Sequence, residues 1–470
     1  MASPDPFAAI FKAYDVRGLV PEQLDARLAY AIGDGFARFA AANDRSGRIL
    51  IGRDARSSGP ALAGALAAGA IAAGAGVTDL GLCSTDLCYY ASGHLAAPAV
   101  MLTASHNPAG YNGMKFCLAG ARPIGEESGL REVRALAAAA LATAPEQSPP
   151  IGEQPVEHAE LLTAFAEHVH SFVDLSALAP LRLVADTANG MGGLVAPAVF
   201  AGLPFQLDLL YPELDGTFPN HPADPIQPEN LADLRRRLLE TGADVGLAFD
   251  GDADRVFLVD DRGEPLSGST TTAIVAAALL DKHPGSTVLY NLICSHAVRE
   301  VIAEHGGVGV RTRVGHSFIK QVMAETDALF GGEHSGHYYF RDNFRADSGI
   351  IAALVVLEVL SRAGVPLSQL RRPVERYADS GEINTRVEDP AAAVEAIAEA
   401  YAAAGAEIDR LDGLTADLGE WWFNLRPSNT EPLLRLNVEA PDAASLAGHV
   451  AEVRAAIERR SSPAPAAGGH

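Results

Sequence analysis

Three aspartates alternate in Asp250-Gly251-Asp252-Ala253-Asp254-Arg255, between the apolar runs 245–249 and 256–259. Carboxylates this close repel one another unless a cation sits among them. A hard, oxygen-liganded ion such as Mg²⁺ suits the set, because it takes one to three carboxylates and keeps positions for water or phosphate oxygens. Taken alone, the motif fits an exposed acidic turn as well. The flanking runs favour the ion, because they bury the base of the turn at a strand end, where parallel α/β sheets bind ligands. An EF-hand also starts with alternating acids, but it needs glycine where Arg255 stands, which excludes it.

Three other segments carry chemistry. After the apolar run 97–102 comes Thr103-Ala104-Ser105-His106-Asn107-Pro108, a turn that would hold Ser105 out from the backbone. A serine in a turn usually serves local hydrogen bonding. No G-x-S-x-G surrounds it, which disfavours a hydrolase elbow. If Ser105 reacts, phosphorylation is the better reading, since a nearby metal could offset the charge of a phosphoserine. In Gly331-Gly332-Glu333-His334-Ser335-Gly336-His337, a carboxylate, a hydroxyl and an imidazole alternate and could converge on a polyol. An irregular turn with a satisfied histidine is the plainer alternative. Finally, Arg426-Pro427-Ser428-Asn429-Thr430-Glu431-Pro432 combines an Arg fork with neutral donors, which suits a phosphate that is not transferred. Its prolines would stiffen the loop.

These turns need elements to position them. A chain of 470 residues implies three or four domains. Strand-like and helical patterns alternate (47–51, 60–74, 97–102 and 126–141), which is the mark of α/β layers. The Pro-rich segment 142–150 reads as a linker. A second unit opens after a helical stretch at 157–170, with a strand at 181–185 and a Gly-rich turn at 186–193. That turn lacks the spacing of a dinucleotide or lysine-bearing phosphate loop and reads as a tight turn. A third unit has a strand at 287–290 and helices at 316–326 and 348–363. In the last quarter, helices at 390–404 and 441–459 bracket strands at 421–425 and 433–438. The fold expected is α/β: three related α/β domains (1–150, 151–256 and 257–367) and a smaller C-terminal α+β domain (368–460). A low-complexity tail, 461–470, is expected to be disordered.

The net charge of −23 argues against nucleic acid or an anionic membrane as partner. An anionic small ligand would need a locally inverted site. Nearly all cations are arginines, the better phosphate fork; lysine occurs only at 12, 115, 282 and 320. Four cysteines without metal-ligand spacing read as buried thiols in a reducing compartment. The N-terminus lacks the features of a signal peptide. Residues 57–78 are uncharged, but they are Ala- and Gly-rich and read as a packed helix rather than a membrane span. A cytoplasmic location is expected.

In this order and over nearly the whole chain, the four segments resemble the α-D-phosphohexomutases, specifically the bacterial phosphomannomutase/phosphoglucomutase branch. Phe11-Lys12-Ala13-Tyr14-Asp15-Val16-Arg17-Gly18 is similar to that branch's opening motif, and Arg313-Val314-Gly315-His316-Ser317 to its third-domain motif. The resemblance implies four domains around a central cleft. It makes Ser105 a phosphoserine, with Asp250, Asp252, Asp254 and the phosphoserine oxygen holding one Mg²⁺. Ser105 would phosphorylate a mannose or glucose monophosphate to a hexose 1,6-bisphosphate and take back the other phosphate. Arg17, Lys115 and Arg255 would surround the transferring group, and His106, Lys115 and His337 are candidates to move the proton.

By the same resemblance Tyr14, Gly315 and His316 line the substrate site. Glu333 and Ser335 would grip the sugar's O3 and O4, with His337 beside them, while Arg426, Ser428, Asn429 and Thr430 hold the idle phosphate. O2 is left unread, so both epimers could be accepted. Relatives acting on glucosamine phosphate tend to differ where this chain has Thr103, His334 and Asn429. Ile293 replaces a substrate-binding lysine of some relatives. Three rival readings remain: a glucosamine-phosphate mutase, a haloacid-dehalogenase-like phosphatase with Asp250 as nucleophile, and a silent sugar-phosphate sensor. The choice between monomer and dimer is open.

Overall fold

The computed structural model describes residues 5–427 and 433–461, without the side chains of His316, Arg460 and Ser461. The four sheets follow one another along the chain. In the first, Arg48–Arg53, Gly76–Leu82 and Ala99–Leu102 run parallel, and Tyr111–Leu118 returns antiparallel beside Ala99–Leu102. The central strands are apolar on both faces (Ile49, Leu50, Ile51; Val100, Met101, Leu102) because helices cover the sheet on both sides. The Ser105 turn is therefore the crossover from a buried parallel strand to its antiparallel neighbour.

The first sheet continues past the 142–150 linker. Glu157–His158 adds an edge strand beside Thr78 and Asp79, and the helix expected over 157–170 starts only at Leu162. A two-residue edge strand has no periodicity to betray it. Likewise the helix expected at 126–141 begins as a π-turn, Glu126–Leu130, distorted at Gly129 (φ +138°), before Arg131–Ala140. The uncharged stretch 57–78 holds the helix Gly59–Ala72, packed closely against Ala26–Asn43. Among the described residues no helix is long and apolar enough to cross a membrane.

The second sheet orders Val256–Val259, Val245–Phe249, Arg182–Asp186 and Gln206–Leu210. Val256–Val259 runs antiparallel beside Val245–Phe249, so the acidic turn lies inside a hairpin of this sheet and the sheet extends past residue 256. In the third, the Glu333 turn joins Phe330–Gly332 to Tyr338–Phe340, again antiparallel neighbours. The fourth sheet is antiparallel throughout and is built around Trp422–Pro427 and Leu433–Ala440, accompanied by the helices Pro390–Ala403 and Ala443–Ser461.

One hydrophobic core runs through the first three units, joining Tyr89 and Tyr90 to Phe165, Phe249, Phe330 and Ile351. The fourth has its own core around Ile397, Phe423, Leu436 and Val453. Each large buried side chain contributes about 1.5–3 kcal/mol. The shared core therefore fixes the Ser105, Asp250–Asp254 and Glu333 turns relative to one another.

Candidate active site

The Ser105 turn meets the acidic turn directly. Ser105 has φ +50°, an uncommon conformation for a residue with a side chain, and its N–H donates to Thr103 Oγ1 at 2.9 Å. Its Oγ donates to Asp250 Oδ2 at 2.8 Å across 145 residues of sequence. Gly251 permits this approach, since a Cβ there would lie 2.5 Å from the Ser105 carbonyl oxygen. Met191, within the Gly-rich turn, donates its N–H to the Gly251 carbonyl at 3.0 Å, so that turn also backs the acidic one.

All three aspartates are buried, with ligand oxygens within 4.8 Å of one another. Asp250 Oδ2 also accepts from Arg255 Nε at 2.9 Å. Lys115 Nζ bridges Asp252 Oδ2 (2.7 Å) and Asp254 Oδ2 (2.6 Å). Among the described residues, the Oδ1 atoms of Asp252 and Asp254 are buried without a hydrogen-bond partner. Two bare carboxylate oxygens facing a third carboxylate and a serine hydroxyl form a donor set that fits a hard divalent cation. Burial works against ionisation of Asp252, but Lys115 and the Thr85 hydroxyl outweigh it and hold the carboxyl well below its usual range. Asp250 moves up, because burial dominates over Arg255.

Basic groups ring the serine. Arg255 Nη2 lies 3.4 Å from Ser105 Oγ and 2.6 Å from His106 Nδ1. Burial, then Arg255 and Arg17, push the His106 imidazole down to about 2, so it is neutral and accepts from Arg255. Arg17 donates to Asn107 Oδ1 at 2.5 Å and to Asp15 at 2.6 Å. His337 reaches the same centre through a backbone bridge to Arg255, with Nδ1 2.9 Å from Asp347 Oδ2 and 3.8 Å from Asp254 Oδ1. Burial opposes its charge, but Asp254 and Asp347 prevail and raise its pKa.

Glu333 lies in the neighbouring third-domain turn. Its Oε1 accepts from Gly315 N (3.1 Å) and Asn291 Nδ2 (3.4 Å), and its Oε2 from Tyr339 Oη (2.8 Å). Three donors from three segments fix its orientation. Gly315 has φ +125° and abuts Tyr14, whose Oη would be 2.8 Å from a Cβ at that position. Ser335 is half-buried beside Glu333. In the fourth domain, Arg426 is buried, 3.6 Å from Glu382 and 3.7 Å from Asp412, and its Nε has no partner among the described residues. Ser428, Asn429 and Thr430 lie outside the described residues, as do the His316 side chain and the tail 462–470.

Sequence reasoning missed several supports. Arg56, fully buried, donates from Nη1 to the carbonyls of Pro108 and Tyr111, and from Nη2 to those of Ser105 and Asn107, at 2.7–2.9 Å. Thr85, Tyr339 and Asp347, which meet Asp252, Glu333 and His337, were also unforeseen, as was Lys320, 3.3 Å from Asp347 Oδ1. The Arg56-Ser57-Ser58-Gly59 turn after a strand was the one local hint, since the partners lie far along the chain.

A serine facing buried carboxylates, with arginines around it where α/β domains meet, is an arrangement suited to phosphoryl transfer. Comparison with known proteins sharpens this. Family profiles described as phosphoglucomutase/phosphomannomutase match the whole arrangement: alpha/beta/alpha domain I at residues 8–141, domain II at 163–263, domain III at 267–377 and the C-terminal domain at 382–456. The chain belongs to the phosphoglucomutase/phosphomannomutase family. It is 42% identical over 439 residues to the phosphohexose mutases of Xanthomonas campestris pv. campestris, covering 93% of this chain and 96% of that one. It is 38% identical over 440 residues to a phosphomannomutase of Escherichia coli K12, covering 92% and 94%. A crystal structure of a family protein from Burkholderia thailandensis superposes with TM-score 0.85 at 31% identity, covering 97% and 98% of the two chains.

Proposed function

We propose that the enzyme moves a phosphoryl group between the 1- and 6-positions of mannose or glucose phosphates, through a phosphoserine at Ser105 and a hexose 1,6-bisphosphate. The observation that carries this is the 2.8 Å contact between Ser105 Oγ and Asp250 Oδ2, beside two bare carboxylate oxygens. In the forward half, the bond from phosphorus to Ser105 Oγ breaks as one forms to the free C1 or C6 hydroxyl oxygen, whose proton passes to a neighbouring base, for which His106, Lys115 and His337 are the candidates, and is given back in the return half. The bisphosphate then turns over, and its other phosphoryl group returns to Ser105 Oγ, releasing the isomeric monophosphate. Bound Mg²⁺, held by Asp250, Asp252, Asp254 and a phosphoserine oxygen, would neutralise charge on the transferring group.

The chain's own residues supply the rest. Arg255 and Arg17 add fixed positive charge around Ser105. Glu333 and Ser335 hold the sugar hydroxyls. Arg426, whose Nε has no partner among the described residues, takes part with Ser428, Asn429 and Thr430 in holding the idle phosphate. Asp250 is a poor nucleophile, since Ser105 and Arg255 occupy its Oδ2. A coupled assay of the wild type and Ser105→Ala with mannose, glucose and glucosamine 1-phosphates tests the reading. Turnover of the first two by wild type alone is expected. A marked preference for glucosamine 1-phosphate would overturn the substrate assignment, and an active Ser105→Ala enzyme the mechanism.

A further inference from the structure

We infer that Thr85 is a positioning residue for the metal loop: it fixes which oxygen of Asp252 meets the ion and ties that carboxylate to the domain carrying Ser105. The inference rests on the metal-centre reading given above. Thr85 is fully buried and opens the helix Thr85–His94, for which Ser84 is the N-cap. It reaches 167 residues along the chain, with Oγ1 donating to Asp252 Oδ2 at 2.6 Å and its backbone N–H donating to the Asp252 carbonyl at 3.0 Å. One contact holds the side chain and the other the backbone, so both the place and the rotation of Asp252 are fixed.

Lys115 Nζ, 2.7 Å away, is a second donor to the same Oδ2. That oxygen is then saturated, and the buried, unpartnered Oδ1 is left to face the ion. Asp254 repeats the pattern with Lys115 on Oδ2 and a bare Oδ1. The brace extends to a third domain through the next residue, because Asp86 Oδ2 accepts from Ser348 Oγ at 2.7 Å. The first turn of one helix thus sets the metal loop in register with the Ser105 domain and the third domain.

Without the Thr85 hydroxyl, Asp252 can rotate and offer either oxygen to Lys115, and an arriving ion must reorder its ligand. Removing an outer hydrogen-bond partner of a metal ligand typically weakens metal affinity or activity 10–100-fold. The test is Mn²⁺ binding, followed by electron paramagnetic resonance, in the full-length wild type, Thr85→Val and Thr85→Ser. Valine keeps the branched shape and loses the donor; serine keeps the donor. Mn²⁺ affinity is expected to fall at least tenfold in Thr85→Val and to stay within about threefold of wild type in Thr85→Ser. Equal affinity in wild type and a folded Thr85→Val, judged by circular dichroism, would overturn the inference. Should valine prevent folding, a tenfold loss in Thr85→Ser would overturn it instead. Failure of the wild type to bind Mn²⁺ would remove the metal-centre reading itself, and the brace with it.

Discussion

Arg56 offers the sharpest test of how the serine turn is held. Its guanidinium donates to four carbonyls of residues 105–111 and, from Nε, to Asp54 Oδ2 at 3.1 Å. Phe218 of the second domain lies against the guanidinium, with the ring centre 5.1 Å away. Lysine would keep a charge for Asp54, but an ammonium has three donors, and one goes to that carboxylate. At least two carbonyls then lose their Arg56 donor; Pro108 O keeps the Tyr111 N–H at 3.0 Å, so at least one is stranded, at about 1–3 kcal/mol. The turn can avoid this only by opening to water, which moves Ser105 out of its φ +50° conformation and away from Asp250. A misplacement of about 1 Å costs on the order of a hundredfold in rate. Arg56→Lys is therefore expected to lower kcat at least tenfold in the coupled assay, with an earlier thermal transition. Unchanged kcat and Tm would refute the claim that this fork sets the turn.

Three further outcomes follow from other contacts. Tyr339→Phe removes the hydroxyl that donates to Glu333 Oε2 but keeps the buried ring, so kcat/KM should fall tenfold or more, and Tm should fall as well, because a hydrogen bond to a buried charged group worth about 1.5–3 kcal/mol is lost. His221 Nε2 lies 3.1 Å from Asp186 Oδ2; burial opposes its charge, but Asp186 prevails and raises its pKa. The stability this pair contributes is complete below the unfolded-state pKa of His221 and lost as pH rises through the higher folded value. The Tm advantage of wild type over His221→Gln should therefore shrink as pH rises above the ordinary histidine value of about 6.5. Chelation by EDTA should abolish turnover, and added Mg²⁺ should restore it; activity undiminished after exhaustive chelation would contradict the metal role of Asp250, Asp252 and Asp254.

Much of the site was legible because its chemistry is written in short turns. The alternating aspartates, Ser105 among Asn and Pro, and Glu333 among glycines each fit within a few residues, so spacing marked them as candidates, and the resemblance of the ordered segments to a known family supplied their expected roles. The alternation of strands and helices likewise gave the α/β layers and the distinct last quarter. What was hidden depends on distance along the chain. Arg56 meets Asn107 across 51 residues, Thr85 meets Asp252 across 167 and Ser348 meets Asp86 across 262. No local pattern encodes such pairs. The edge strand Glu157–His158 was missed because two residues carry no period, and the role of the Gly-rich turn behind Gly251 became visible only once Arg182–Asp186 and Val245–Phe249 were paired in the second sheet.

The central claim is that Ser105 carries the phosphoryl group. Incubation of the protein with radiolabelled glucose 1,6-bisphosphate, followed by peptide mapping, tests it most directly. Label on the peptide containing Ser105, discharged on addition of mannose 1-phosphate or glucose 1-phosphate, is the predicted result. Label on Asp250, or turnover with Ser105 unlabelled throughout, would contradict it.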